Sequence, residues 1–275
     1  GCLMIDLHCH MLPGIDDGSV SIEMSLEMAR IAAADGITTT ACTPHIYPGL
    51  YENTGPDIRQ RVGQLTEAFR EAGIDLKLTH GADIQIVPSL VDGLRTGLMP
   101  TLGDTRYFLF EPPHHTVPTG FARLLFDALA SGYVPLITHP ERLTWLDDDH
   151  YPWFVSAAQQ GAWLQVTAGA VTGRFGRRAK YWAERFLADG LVHILATDAH
   201  EPVHRPPLLA EGAAAAQSWV GAEEAERLVA ERPRAVLDDL PPEAVSKPPG
   251  LVPGGMPPNP ARGGKGLIGR LFGRG

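Results

Sequence analysis

Two histidines separated by one residue, His8 and His10, end a short apolar run near the start of the chain. Alternate side chains of a β-strand leave on the same face, so both imidazoles are placed to bind one cation while Cys9 points away. Neutral imidazole nitrogen is a favoured ligand of borderline transition metals. By itself, the pair fits a metal site and a pair of ordinary polar histidines equally well.

Similar side chains recur where later apolar runs end, and together they predict a metal centre. The candidate ligands are His8, His10, Asp17, His45, Asp83, Glu111, His139, Asp198 and His200. Nine nitrogen and oxygen ligands are too many for one ion, and they suit two or three cations such as manganese, iron or zinc. Any single member, such as Asp17 or His45, is equally well explained as a helix cap or a core residue. Carboxylates clustered without a cation would repel one another, which disfavours a structural explanation of the whole set.

Two arginines, Arg142 and Arg205, each follow one of the candidate histidines within five residues. A guanidinium group can hold two phosphate oxygens at once, so these residues predict a phosphate group in the substrate. The alternative is that they are surface residues paired with their neighbours Glu141 and Glu201.

The elements that must position these residues alternate between strands and helices. Strands are predicted near residues 4–10, 37–42, 76–79, 107–110, 134–138, 162–166 and 192–196. Helices are predicted near residues 22–35, 57–71, 89–95, 120–131, 151–160, 176–188, 207–219 and 222–230. This alternation predicts a parallel sheet or a β/α barrel, in which functional residues stand at the C-terminal strand ends. Six of the seven strands end at His, Asp or Glu, and the exception is followed by Thr167-Ala168-Gly169.

Other histidines are assigned weaker roles. His80 and His193 are predicted to pack within strands, whereas His114, His115 and His150 are predicted to lie in loops. One of the adjacent pair, His114 or His115, is a candidate substrate contact.

Length and cysteine content favour one cytoplasmic domain. A chain of 275 residues with 44% hydrophobic content fits a single β/α domain, here placed at residues 1–240. No apolar run approaches the length of roughly 18 residues that a membrane span needs, and no secretory signal pattern is expected at the start. Three cysteines make no plausible disulfide framework, which fits a reducing compartment.

The last 35 residues, 241–275, have a different composition, because 17 of them are proline or glycine. Such a segment buries too little apolar surface to offset its ordering entropy, so we predict a disordered extension. Within it, residues 266–274 alternate apolar side chains with cations, which leaves open contact with an anionic membrane or an acidic partner. The net charge of −9 for the whole chain argues against nucleic acid as the main partner.

Cysteine-based and nucleotide-based chemistries are not supported. A thiol phosphatase needs a Cys-x5-Arg loop, but Ile15 and Pro48 stand at the arginine position after Cys9 and Cys42. The chain also lacks a Gly-x-x-x-x-Gly-Lys-Ser/Thr loop and a Gly-x-Gly-x-x-Gly turn after a strand.

In combination, the motifs resemble the polymerase-and-histidinol-phosphatase (PHP) family, and within it the bacterial protein-tyrosine phosphatases of capsular and exopolysaccharide synthesis. The Asp-Asp-Gly and Arg-Pro-Pro elements favour this branch over the histidinol-phosphatase and polymerase branches. The matching stretches are Ile5-Asp6-Leu7-His8-Cys9-His10, Asp16-Asp17-Gly18, Thr43-Pro44-His45, Gly81-Ala82-Asp83, Phe110-Glu111, His139-Pro140-Glu141-Arg142, Ala196-Thr197-Asp198-Ala199-His200 and Arg205-Pro206-Pro207.

The resemblance implies a distorted seven-stranded β/α (TIM-like) barrel that holds three divalent metal ions, often manganese, with iron, zinc, magnesium or cobalt also compatible. It assigns the first ion to His8, His10, Asp83 and Asp198. It assigns the second ion to Asp83, Glu111 and His139, and the third to Asp17, His45 and His200. One departure is Asp83, because the family pattern usually has glutamate at this bridging position.

The same resemblance implies hydrolysis of a phosphomonoester, with Arg142, Arg205 and Asp198 as the catalytic residues. The implied substrate is a phosphotyrosine-containing protein, such as a membrane-associated bacterial tyrosine kinase. Two alternatives remain open: a small-molecule phosphatase of the histidinol-phosphate type, and a non-catalytic, metal-binding regulatory module.

Overall fold

Parallel strands connected by helices form the part of the chain that the computed structural model describes, residues 3–255. The strands are β1 (Met4–Cys9), β2 (Ile37–Cys42), β3 (His45–Ile46), β4 (Lys77–His80), β5 (Asp83–Gln85), β6 (Tyr107–Glu111), β7 (Val134–Thr138), β8 (Trp163–Thr167) and β9 (Ile194–Ala196). The α-helices are α1 (Ile22–Asp35), α2 (Gly55–Ala72), α3 (Leu90–Thr96), α4 (Phe121–Ala130), α5 (Tyr151–Gln159), α6 (Ala168–Val171), α7 (Gly176–Ala188), α8 (Ala210–Val220), α9 (Ala222–Glu226) and α10 (Arg232–Leu237). A π-helical turn, Arg227–Glu231, joins the last two helices.

The predicted parallel α/β fold is confirmed, but the strands are arranged in two sheets. One sheet has the order β1-β2-β4 and the other has the order β3-β5-β6-β7-β8-β9. Two of the predicted strand regions continue past a break, so that β2 is followed by β3 and β4 by β5. Pro44 lies in the first break and has no N–H to donate to a ladder. Gly81 lies in the second, where an added Cβ would approach Leu102 Cδ2 to 2.7 Å.

The two sheets meet where β1 and β9 end. Asp198 donates its backbone N–H to His8 O, and His10 donates its own to Ala199 O, each over 2.8 Å. Cys9 and Ala199 form a parallel bridge at the same point. These bonds bring the first strand end of the chain beside the last one, so residues nearly 190 positions apart in sequence share one site.

Helix ends follow the local sequence closely. Ser21 Oγ accepts the backbone N–H of Met24 over 3.1 Å at the start of α1, and Gly36 ends the same helix at φ 100°. A side-chain acceptor at the N-cap and a left-handed glycine at the C-cap satisfy the free backbone groups of helix termini. The predicted bounds of this helix are therefore confirmed. Within residues 3–255, no helix combines the length and apolar character required to span a bilayer.

An apolar cluster between the strands supports the edge that carries the candidate ligands. Leu109 and Trp163 are buried members of this cluster. Alternate residues of a strand share a face. Glu111 and Gln165 stand two positions after Leu109 and Trp163, so they lie on the same face, nearer the C-terminal ends of β6 and β8. The cluster also contains residues of and after α10, namely Ala235, Val236 and Val245.

The described part of the predicted disordered extension, residues 241–255, packs against the rest of the fold. Val245 is buried, and Ser246 O accepts the Nε–H of the buried Arg232 over 2.8 Å. Gly250 donates its backbone N–H to Gly190 O over 2.9 Å. These contacts correct the prediction of disorder for residues 241–255, because a few buried contacts order a segment whose composition indicated disorder. Residues 256–275, with the predicted membrane-contacting stretch, lie outside the described residues.

We predict that a chain ending at residue 240 is less stable than one ending at residue 255. Arg232 would lose the Ser246 carbonyl, and the apolar cluster would lose Val245. Together these losses lower the free energy of unfolding by about 3 kcal/mol. Urea denaturation of the two truncated proteins measures the difference, and equal midpoints with equal slopes would contradict the packing described for residues 241–255.

Candidate metal centre

The structure brings the nine predicted ligands to one edge of the sheets. Eight of them fall into three overlapping groups in which the ligand atoms lie within 4.8 Å of one another. The groups are His8, His10, Asp83 and Asp198; His45, Asp83 and Glu111; and His10, Asp17, His45 and His200. The ninth residue, His139, lies just outside them, with its Nε2 3.7 Å from Glu111 Oε1 and 3.8 Å from Asp198 Oδ2.

These groups differ in part from the division that the family resemblance implies. The first group has the same four members. In the second, His45 stands where His139 was expected, because His45 Nδ1 lies 3.2 Å from Glu111 Oε2. The third gains His10, whose ring centroid lies 4.0 Å from that of His200.

In the first group, one imidazole nitrogen faces three polar atoms, although it carries at most one hydrogen. His8 Nε2 lies 3.3 Å from His10 Nε2, 3.2 Å from Asp83 Oδ2 and 3.1 Å from Asp198 Oδ1. Four ligand atoms therefore face one point from a completely buried position. Asp83 Oδ1 is also buried and has no hydrogen-bond partner among the described residues. Buried charges of this kind are normally paired or coordinated to a metal, so the residues fit divalent cations.

Two residues outside the predicted set orient the first two histidines. Gln165 Oε1 lies 2.7 Å from His8 Nδ1, and Asp16 Oδ2 lies 2.8 Å from His10 Nδ1. A partner on Nδ1 fixes the ring and directs Nε2 towards a metal, as outer residues of metal sites commonly do. Asp16 also accepts the backbone N–H of His45 over 3.1 Å. It therefore ties two of the ligand-bearing segments together.

The charges of the site are strongly coupled. Burial raises the pKa of Asp83, but His8, His45 and His10 outweigh it, and the pKa lies below its ordinary value. Burial and the Asp83 carboxylate raise the pKa of Glu111 to about 7. Although burial opposes it, hydrogen bonds to Asp17 and Glu111 raise the pKa of His45 to about 12. Protons thus occupy positions that cations can take, and binding of a metal must release them.

Arg142 and Arg205 border the metal-binding groups and share one carboxylate. Arg142 Nη1 donates to Asp198 Oδ2 over 2.5 Å, and Arg205 Nη2 donates to the same oxygen over 2.9 Å. Neither guanidinium group pairs with its neighbouring glutamate: Glu141 Oε2 accepts the Thr167 N–H, and Glu201 accepts backbone N–H groups, including that of Arg205. The two guanidinium groups therefore lie next to the candidate metal ligands.

The remaining histidines lie at varied distances from the centre. His193 Nδ1 accepts the Leu164 N–H over 3.0 Å deep in the fold, which confirms a packing role. His80 Nε2 lies 3.1 Å from Asp104 Oδ1, away from the metal-binding groups. His114 is half-buried at the rim of the site, and its pKa falls to about 4 because of burial and the nearby arginine charge.

The scaffold and the site define a class: parallel α/β proteins with several candidate metal-binding groups at the strand ends and two arginines beside them. Residues 4–238 match the sequence profile of the family described as "Capsular polysaccharide synthesis, CpsB/CapC". The chain belongs to this family, and the resemblance inferred from its motifs is confirmed.

Named relatives are similar over most of their length. The chain is 36% identical over 197 residues to the tyrosine-protein phosphatase YwqE of Bacillus subtilis (strain 168), which covers 72% of this chain and 77% of YwqE. It is 30% identical over 241 residues to the tyrosine-protein phosphatase CpsB of Streptococcus pneumoniae, which covers 86% of this chain and 99% of CpsB. A crystal structure from a study of YwqE and CpsB, described as metal-dependent tyrosine phosphatases, superposes with a TM-score of 0.83 at 31% identity, covering 92% of this chain and 99% of that one.

We predict that Gln165→Leu weakens metal binding by about 10- to 100-fold, the scale observed when an outer hydrogen bond to a metal-binding histidine is lost. The substitution removes the acceptor that fixes His8 Nδ1. Calorimetric titration with manganese measures the affinity. Gln160→Leu is the matched control, because that glutamine bonds Ser156 on the outer surface. Equal manganese affinity in Gln165→Leu and the wild type would show that Gln165 does not position the ligand.

Proposed function

We propose that this chain is a metal-dependent protein-tyrosine phosphatase, a hydrolase of phosphotyrosine in capsular or exopolysaccharide synthesis. The observation that carries the proposal is the position of Asp198. Its Oδ1 lies 3.1 Å from His8 Nε2 and 3.0 Å from His10 Nε2, while its Oδ2 accepts from Arg142 and Arg205. One carboxylate thus joins the metal-binding groups to the anion-binding arginines.

We propose three divalent ions, with manganese preferred and iron, zinc, magnesium or cobalt also compatible with the nitrogen and oxygen ligands. When bound, such cations supply Lewis acidity towards a phosphoryl oxygen and activate water for attack. The proposed ligands are the nine residues predicted from the sequence: His8, His10, Asp17, His45, Asp83, Glu111, His139, Asp198 and His200. Asp83 belongs to two of the three groups, which suits a carboxylate shared between ions.

The arginines and Asp198 perform the substrate-binding part of the reaction. The guanidinium groups of Arg142 and Arg205 hold phosphoryl oxygens, fix the phosphorus for in-line attack and stabilise charge that grows in the transition state. Asp198 keeps both guanidinium groups at the edge of the metal centre before substrate binds. The phenolate of tyrosine leaves more readily than an alkoxide because its conjugate acid has a pKa of about 10. Of the two candidate contacts His114 and His115, we assign His114 to the substrate, because it lines the same cavity as Arg142.

The partner proposed for this enzyme is the phosphotyrosine-bearing segment of a membrane-associated bacterial tyrosine kinase. The family description and the activity named for YwqE and CpsB support this substrate class. The cytoplasm is the proposed location, which fits the free, buried thiols of Cys9 and Cys42. We also propose that the two sheets, joined at β1 and β9, form the distorted seven-stranded barrel.

Two other functions are less well supported. A histidinol-phosphate type of phosphatase would use the same chemistry, but the family match and the named relatives favour phosphotyrosine. A non-catalytic metal-binding module has no need of two arginines beside the metal-binding groups, and both are present here.

We predict that chelation abolishes hydrolysis of a phosphotyrosine peptide and that manganese restores it most fully. His8→Ala should lower kcat/KM at least about 100-fold, since removal of a ligand removes part of a metal site. His80→Ala is the matched control, because that histidine lies outside the three groups. Peptide and histidinol phosphate are assayed side by side. Full activity in a sample that elemental analysis shows to be metal-free would refute the metal dependence, and preference for histidinol phosphate would refute the substrate class.

We predict that Arg142→Ala and Arg205→Ala each lower kcat/KM by about 2–4 kcal/mol of transition-state stabilisation, the scale of losing one electrostatic donor. Manganese content should not change, because neither arginine can serve as a metal ligand. Arg123→Ala is the matched control, since that exposed arginine pairs with Asp127 on α4. Wild-type kcat/KM in either variant would show that the arginine does not contact the phosphoryl group.

A further inference from the structure

The one predicted strand end without a strong ligand, after β8, leads to an aromatic side chain that contacts both arginines. The segment continues through α6 and a tight turn to Phe175. Arg142 Cζ lies 4.2 Å from the centroid of the Phe175 ring, and Arg205 Cζ lies 5.4 Å from the same centroid. A guanidinium group within about 6 Å of a ring centroid is attracted by the π-electrons of the ring. Phe175 therefore contacts the two guanidinium groups to which we assign binding of the phosphoryl group.

Local backbone structure makes room for the ring at this position. A Cβ added at Gly169 would lie 3.0 Å from Phe175 Cε2, so any larger residue there would press on the ring. Arg174 donates its backbone N–H to Gly169 O over 2.8 Å, which closes the turn immediately before Phe175. The strand end that offers no metal ligand thus contributes a glycine that admits the aromatic side chain.

Two guanidinium groups held this close repel each other, and each side chain has many rotamers in water. Asp198 fixes the end of each arginine that faces the metal-binding groups. The ring offers both guanidinium groups a second contact, beside a cavity of about 270 Å³ that His114 and Thr144 also line. Two contacts for each guanidinium group favour one arrangement of the pair over the alternatives.

We propose that Phe175 is a positioning residue for phosphate recognition: its ring orders Arg142 and Arg205 so that both guanidinium groups meet one phosphoryl group. The inference rests on the proposed function and extends it to a residue that is neither charged nor a metal ligand. The competing explanation is that Phe175 only fills space, since it also packs against the main apolar core.

The test uses the full-length, manganese-loaded protein and two measurements. Phe175→Leu should raise the dissociation constant of inorganic phosphate, measured by calorimetry, by about tenfold. It should lower kcat/KM for a phosphotyrosine peptide by about the same factor, mainly through KM. Phe175→Trp should recover most of both losses, because an indole ring also attracts cations. Phe126→Leu on α4 is the matched control, since this phenylalanine is exposed and belongs neither to the main apolar core nor to the apolar cluster between the strands.

A double-mutant cycle with Arg142 distinguishes a positioning role of Phe175 from simple space filling. If the ring acts through the guanidinium groups, Phe175→Leu costs less in an Arg142→Ala background than in the wild type. An equal cost in both backgrounds, or a loss of phosphate affinity that Phe175→Trp does not recover, would overturn the proposal. Should Phe175→Leu fail to fold, Phe175→Met provides a flexible apolar replacement without a ring.

Failure of the inference and failure of the proposed function give different results. If the wild-type protein does not hydrolyse the phosphotyrosine peptide, the proposed function is wrong. The calorimetric titration with inorganic phosphate still decides the role of Phe175 in that case. If the wild-type protein is active but Phe175→Leu binds phosphate and turns over peptide as the wild type does, only the inference about Phe175 is wrong.

Discussion

The carboxylate of Asp198 joins the closure of the fold to the chemistry of the site. Its backbone N–H bonds His8 O and so connects the last strand of the sheets to the first. Its side chain lies between two histidines on one side and two arginines on the other. The residue adopts φ 50°, a left-handed conformation that costs free energy for a side chain other than glycine. That cost is tolerated because both the strand contact and the ion pairs require this backbone position.

Balance of charge sets a second constraint, because buried carboxylates and cationic side chains lie together at the edge of the sheets that carries the candidate ligands. Asp83 and Asp198 are buried, and their negative charge is met by His8, His10, Arg142 and Arg205. Each partner removed would leave these buried carboxylates less well compensated, which destabilises the fold. The same arrangement supports function. Added divalent cations would meet the carboxylates, and an added phosphate dianion would meet the guanidinium groups.

Much of the scaffold could be predicted from the sequence, because strand ends and helix caps leave local patterns. Ser21 and Gly36 define α1. The His, Asp and Glu residues at the predicted strand ends are the candidate ligands that the structure brings together. The choice of His45 over His139 beside Glu111 could not be predicted, since it depends on β3, which begins at His45 after a break in the predicted strand region.

The residues that sequence reasoning missed act through other side chains. Gln165 and Phe175 acquire their contacts only when distant segments meet, so spacing along the chain does not reveal them. A glutamine within an otherwise apolar, buried strand was the one feature of the sequence that pointed to Gln165, because a buried amide needs a partner. Residues 241–255 were misjudged for a related reason: their composition is that of a loop, but Val245 is buried, Ser246 O accepts a hydrogen bond and the Gly250 N–H donates one.

Asp83 reaches three histidines although its carboxylate stands one methylene closer to the backbone than that of a glutamate. Its Oδ2 still lies 3.2 Å from His8 Nε2, 3.4 Å from His45 Nδ1 and 3.7 Å from His10 Nε2. The reach comes from the backbone, because β5 begins at Asp83 itself and pairs there with His45 of β3. The breaks after β2 and β4 set both residues in one short ladder beyond the main strands. A side chain one methylene shorter can therefore belong to two metal-binding groups, since the ladder brings its Cα close to both.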